Sequence, residues 1–214
     1  HNLFIFEDNC ESFGAMHKKR LSGKYGLFSS ISSYHSHHIN TIEGGFLLTD
    51  SFEVYCNALS LRSHGWSREQ PKNSRIGKEK ISNFEKKFKF YLPGFNLRPT
   101  EINAVIGLQQ MKKISSFIKH RKNNAKIFFK IFRGLENIIL QEYSENNSFF
   151  SFSFIFPDTK NKEFFFKLFE KIGFETRPII SGDILKHKML NYANYKIIGD
   201  TKNISLIEKC GLMI

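Results

Sequence analysis

Leu3-Phe4-Ile5-Phe6 is an uninterrupted apolar run closed by two carboxylates, Glu7 and Asp8. A short apolar run without polar alternation reads as a parallel strand buried on both faces, and a carboxylate at its C-terminal edge sits where α/β folds place ligands. That one feature sets the class. Glycines at 14, 23 and 26 break the following stretch into turns. Residues 27–34 then read as a second strand, 46–49 as a third and 52–61 as a helix.

The 65–89 stretch is polar, rich in Lys, Ser and Asn, and without periodicity, which predicts a long functional loop. A helix is predicted from Thr100, with Ile102, Val105, Ile106, Ile114, Phe117 and Ile118 at helical spacing, running toward Phe132 and stopping near Gly134. Further on, 149–156 reads as a strand, 162–172 as an amphipathic helix and 174–180 as another strand. The expected organisation is a larger α/β domain over 1–115 and a smaller, incomplete one over 116–214.

Net charge is +12, with a pI near 9.6. The positive residues concentrate at 72–89 and 112–130, and no RNA-recognition, zinc-finger or helix-turn-helix signature accompanies them. A solvated basic surface or an anionic small substrate therefore outranks nucleic acid as a partner. Cys10, Cys56 and Cys210 are odd in number and unpaired in spacing, which fits a reducing cytoplasm better than a disulfide framework. No secretory pattern is present and no apolar run reaches membrane-spanning length, so no membrane is expected. The first residue is not Met and the last five, Cys210 to Ile214, are an apolar run, so the chain is expected to be part of a longer protein.

Several residues carry possible chemistry. Asp8, at a strand end, suits either a helix cap or a ligand-binding carboxylate. Ser32 suits a turn. His35, His37 and His38 invite a metal reading, but no Cys or acidic cluster stands at ligand spacing, so no metal is expected. Asn96 suits a loop that turns into the next helix. Arg62, His64, Arg68 and Arg177 are candidates for phosphate recognition, since a guanidinium fork matches phosphate oxygens.

Four segments occur in a recognisable order: Glu7-Asp8-Asn9-Cys10-Glu11-Ser12-Phe13-Gly14-Ala15; Ser32-Ser33-Tyr34-His35-Ser36-His37-His38 through Gly45; Leu61-Arg62-Ser63-His64-Gly65; and Gly94-Phe95-Asn96-Leu97-Arg98-Pro99-Thr100-Glu101. In that order they resemble the DegT/DnrJ/EryC1/StrS sugar aminotransferase/dehydratase family. The resemblance implies part of an aspartate-aminotransferase-like (fold type I) large domain with a mostly parallel sheet, followed by a small α/β domain. It implies pyridoxal 5′-phosphate or pyridoxamine 5′-phosphate as cofactor, with Asp8 beneath the ring nitrogen, Glu11 near the 3-hydroxyl and Ser32 on the phosphate. Asn96 would reach the phosphate of a neighbouring subunit, so a homodimer with shared active sites is implied.

His37 falls where the family's aminotransferases carry a lysine that binds the cofactor covalently. An imidazole moves a proton but makes no such bond. The resemblance therefore points to the 3-dehydratase branch acting on a nucleotide-linked 4-keto-6-deoxyhexose, with His37 as catalytic base and glutamate as amino donor. The dispersed cysteines favour the branch without an iron–sulfur cluster, which acts on GDP-4-keto-6-deoxymannose. An aminotransferase and a non-catalytic sugar-nucleotide binder are the alternatives. The 214 residues alone are expected to be inactive.

Overall fold

A computed structural model describes residues 1–214. The chain divides into two compact units, one of residues 1–121 with 146–150, the other of 122–145 with 151–214. No helix is long and apolar enough to cross a membrane.

In the first unit, β1 (Phe6–Asp8) pairs in parallel with β4 (Phe28–Ser32), and β4 pairs antiparallel with β5 (Gly45–Leu48). Between them β2 (Met16–His17) and β3 (Arg20–Leu21) form a small hairpin. Its turn residues Lys18 and Lys19 both have positive φ, the geometry that matches strand twist in a two-residue loop. β4 alternates cleanly, with Ser29 and Ile31 buried and their neighbours half-buried. The register sets Asp8 beside Ser30, so the C-terminal ends of β1 and β4 lie together.

The expected strand over 3–6 is shifted. Only Phe6 of that run is in β1, and Phe4 is 90% exposed. The pairing of β1 with β4 begins at Phe6, which lies beside Phe28.

Helix α1 (Phe52–Leu61) begins at Ser51, whose hydroxyl accepts from the Val54 N–H. The 65–89 segment carries one short helix, α2 (Asn83–Lys86), closed by a Ser82/Glu85 capping box. The long helix expected from Thr100 is two: α3 (Glu101–Met111) and α4 (Ile114–Phe132), parted at Lys112-Lys113. The break resets the helical phase. Every residue of α3 stays at least partly exposed, whereas Ile118 of α4 packs onto Gly14. A Cβ on Gly14 would come within 2.4 Å of Ile118 Cδ1, and its φ of +83° favours glycine independently.

The second unit holds an antiparallel sheet in the order β6-β7-β8, from β6 (Ile139–Leu140), β7 (Ser153–Ile155) and β8 (Gly211–Met213). Helices α5 (Thr159–Lys171) and α6 (Lys202–Cys210) accompany it. Its core is largely phenylalanine: Phe128 of α4 stacks on Phe152 at 4.2 Å, and Phe154, Phe156 and Phe169 are buried. The strand expected over 149–156 is confined to Ser153–Ile155, because 149 and 150 belong to the first unit. The strand expected over 174–180 is a single bridge, in which Arg177 and Met213 exchange both backbone hydrogen bonds. The apolar run at 210–214 supplies β8 instead.

Candidate active site

Alternation along β1 sends its two carboxylates to opposite faces. Glu7 turns back into the 23–26 turn and accepts from the N–H groups of Gly23 (2.8 Å), Tyr25 (2.5 Å) and Gly26 (2.7 Å). Burial works to raise its pKa, but those donors prevail and the carboxyl lies below its usual range. Glu7 is therefore committed to the fold.

Asp8 emerges on the other face, exposed at the strand end. Its Oδ1 accepts from Cys10 N (3.2 Å) and Ser30 Oγ (3.1 Å). The Cys10 side chain and N–H, the Ser30 hydroxyl and the nearby His37 imidazole hold this carboxyl below the usual carboxylate range. It is an anion that keeps free accepting capacity. Glu11 follows on the exposed turn after Asn9.

Ser32 ends β4, and its Oγ accepts from Tyr34 N at 3.1 Å. The loop that follows is closed at its base. Ser33 and Thr41 share a 2.6 Å hydroxyl contact, Thr41 N donates to Ser33 O, and Ser33 N donates to Gly44 O. From α3, Asn103 Nδ2 donates to Thr41 O (2.6 Å) and Glu43 O (3.1 Å). This clamp raises His37 on a tight turn in which its N–H donates to Tyr34 O.

The three histidines of the loop differ. His35 is exposed, its ring 4.0 Å from that of Tyr34. His38 is buried, with Nε2 3.1 Å from Ser148 Oγ and 3.3 Å from Ser148 O. Burial, then the Arg121 charge, pushes its pKa down to about 4, so it is neutral at pH 7. His37 is half-buried between Tyr34 and Phe150, whose rings lie at 5.9 and 5.3 Å in edge-to-face orientation. Its Nδ1 is buried without a protein hydrogen-bond partner. No group of three or more His, Cys, Asp or Glu is placed to hold a metal ion.

A second cluster surrounds the pairing of 61–65 with 92–97. Phe95 N donates to Leu61 O, Leu97 N to Arg62 O, and His64 N to Phe95 O, while Ser63 bridges Asn96. His64 has φ +60°, and a Cβ on Gly65 would fall 1.8 Å from Leu92 O, so only glycine fits there. Asn96 is exposed. Arg68 stacks 3.8 Å over Trp66, lies 5.0 Å from Phe88, and donates Nε to Lys87 O at 2.6 Å. Arg62 pairs with Glu69 at 2.7 Å. Thus Asp8, Ser32 and His37 gather at one sheet end, and Arg62, His64, Arg68 and Asn96 share the second cluster. Arg177 lies in the second unit, where its Nη2 donates to Ile180 O.

Sequence reasoning passed over Asn103, Arg121, Ser148 and Phe150. Asn103 had a local signal, since it stands three residues after Thr100 in a capping box. The others act across the chain, and no local pattern marks them.

The model of the DegT/DnrJ/EryC1/StrS aminotransferase family matches residues 1–205. The chain belongs to this family. It is 42% identical over its whole length to the GDP-4-keto-6-deoxy-D-mannose 3-dehydratase of Yersinia pseudotuberculosis, covering 55% of that protein. It superposes with a TM-score of 0.92, at 37% identity, on the Escherichia coli GDP-4-keto-6-deoxy-D-mannose-3-dehydratase with bound hydrated PLP, covering all of this chain and 56% of that one. A GDP-4-keto-6-deoxymannose-3-dehydratase with a trapped PLP-glutamate geminal diamine matches at 0.93 and 36% identity, with the same coverage. The family member described here thus has the mixed α/β fold of the fold-type I enzymes, and it spans about half the length of the curated relatives it matches.

Proposed function

We propose that this chain serves in a pyridoxal/pyridoxamine phosphate-dependent 3-dehydratase of a nucleotide-linked 4-keto-6-deoxyhexose, GDP-4-keto-6-deoxymannose being the favoured substrate. One observation carries the reading: at the sheet end beside an ionised Asp8, the clamped 33–44 loop raises an imidazole, His37, and residues 32–45 contain no lysine.

The residues fit the cofactor. Asp8 has the anionic character and open lone pairs that a protonated ring nitrogen needs. Ser32 stands on the same sheet end with its hydroxyl proton free to donate to a phosphate. Asn96 would serve the phosphate of a second copy in a homodimer, Glu11 the 3-hydroxyl side, and Arg62, His64, Arg68 and Arg177 the substrate's phosphates. Residues 1–115 would belong to the cofactor-binding large domain and 116–214 to the small one. The three free cysteines suit a cytoplasmic enzyme without an iron–sulfur cluster.

When bound in its amine form, the cofactor supplies an amine for the C4 ketone and an electron sink that lets the C3 hydroxyl leave. The protein's part is proton management. With Nδ1 buried, His37 works through Nε2, accepting a proton and returning one to the departing C3 oxygen. It cannot tether the cofactor, so elimination prevails over formation of an amino sugar. Glutamate closes the balance: it leaves as 2-oxoglutarate, and its nitrogen as ammonia.

The test is to give the full-length protein pyridoxal phosphate, glutamate and GDP-4-keto-6-deoxymannose. A 3-deoxy product with stoichiometric ammonia, lost in His37→Asn, is expected. An amino sugar without ammonia would overturn the reading in favour of an aminotransferase.

A further inference from the structure

A catalytic histidine is ordinarily held in orientation by a hydrogen bond that its second ring N–H donates to a carboxylate or a carbonyl oxygen. His37 has no such partner. Its Nδ1 is buried, yet no protein group bonds it, and the ring is held by aromatic edges, Tyr34 on its own loop and Phe150 from a distant part of the chain.

Phe150 arrives on a strap, residues 146–150, that leaves the second unit's sequence and packs within the first. The strap is tied at residues 146, 148, 149 and 150. Met16 N donates to Asn146 O at 2.9 Å. Ser148 is buried against His38 Nε2, through both its hydroxyl and its carbonyl. Arg121 Nη1 donates to Phe149 O (3.0 Å) and Phe150 O (3.1 Å). Phe149 itself has φ +28°, a conformation that a bulky residue adopts only when its surroundings impose it. A cation directed at two consecutive carbonyls, beside a buried neutral histidine, is more than packing requires. It fixes the backbone on both sides of the Phe150 Cα, which carries the ring that meets His37.

We propose that Arg121 is a positioning residue for His37, acting through the 146–150 strap: Arg121 fixes the carbonyls of 149 and 150, His38 anchors Ser148, and the Phe150 ring so placed orients the His37 imidazole. The proposal rests on the reading of His37 as the acid–base group. It differs from a structural role in what it predicts. Loosening the strap leaves cofactor and substrate contacts in place but lets the imidazole sample unproductive orientations, so kcat falls while KM holds. Misorientation of this kind costs roughly ten- to a hundredfold in rate.

The experiment uses the full-length holoenzyme with 13C-labelled histidine. In Arg121→Gln and Ser148→Ala, the His37 ring resonance, assigned by its loss in His37→Asn, is expected to shift or broaden while that of His35 stays. Turnover in Arg121→Gln should drop about tenfold or more with KM within twofold, and Arg121→Lys should recover part of it. Phe150→Leu, a smaller change on a half-buried ring, should lower kcat to the same degree should Arg121→Gln fold poorly. An unmoved His37 resonance together with native kcat in the folded strap variants overturns the proposal. A moved resonance with a fully active His37→Asn leaves the strap's role in place and overturns the proposed function instead.

Discussion

Ser30 lies directly beside Asp8 in the parallel register of β1 and β4, and its hydroxyl donates to Asp8 Oδ1 at 3.1 Å. The bond holds the carboxylate at the sheet end without cancelling its charge, and Cys10 donates to the same oxygen. Asp8→Asn keeps the shape and removes the charge. If Asp8 meets the cofactor's ring nitrogen as proposed, the expected outcome is a loss of turnover of about a hundredfold or more, since a preorganised charge is removed. Steady-state ammonia release measures it, and cofactor absorbance after gel filtration shows whether binding is lost as well.

Glu7, the other carboxylate of the pair, acts on stability. Its three backbone donors hold the 23–26 turn through both carboxylate oxygens. Glu7→Gln leaves one acceptor oxygen and sets an NH2 against the remaining N–H, so at least one bond is lost, costing about 2 kcal/mol. The carboxyl is depressed in the folded state, so its contribution is present above the unfolded glutamate pKa and is lost as pH falls through the lower, folded value. Urea unfolding of both proteins should show a gap at pH 7 that narrows on acidification. An unchanged gap at every pH would mean that Glu7 acts by packing alone.

These two residues illustrate what the sequence made legible. A strand ending in paired carboxylates predicts a ligand-facing end, and alternation implies that only one of the two can face it. Helix α1 was readable to its ends because Ser51 caps a clean apolar period. Local pattern failed where partners are remote. The 174–180 segment has strand-like composition, but it meets β8, supplied by the apolar run at 210–214, only at the Arg177–Met213 bridge. The same limit applies to the site: Ser32, His37 and Asn96 sit in contiguous motifs, whereas the His38–Ser148 contact joins residues 110 apart.

Trp66 offers a direct probe of the long polar segment, because it is the one tryptophan in the sequence. Arg68 covers its face at 3.8 Å and ties the segment to the Lys87 carbonyl. Arg68→Ala should cost about 1 kcal/mol, as a partly exposed cation–π contact does. It should also shift Trp66 emission to longer wavelength and hasten tryptic cleavage within 72–89. If the guanidinium also meets substrate phosphate, KM for the nucleotide sugar rises as well. Nucleotide protection of Trp66 from quenching separates the two effects.

His38 makes stability depend on pH in the direction opposite to a paired histidine. In the unfolded chain it takes up a proton near its ordinary pKa of 6.5, whereas in the fold burial, and then Arg121, keep it neutral down to about 4. Between those values the unfolded state binds the extra proton. Stability is thus full above about pH 6.5, falls as pH drops toward 4, and flattens below, with a total penalty on the order of 3 kcal/mol at most. The loss should appear first where His38 bonds Ser148, so amide exchange at residues 148–150 should accelerate between pH 7 and pH 5 ahead of β4, after correction for intrinsic rates. His38→Gln keeps a polar group able to reach Ser148 but does not titrate. Its unfolding free energy should lack this slope, at the cost of an offset at pH 7. A slope as steep in His38→Gln as in the native protein would assign the acid sensitivity to another group and leave His38 with a packing role alone.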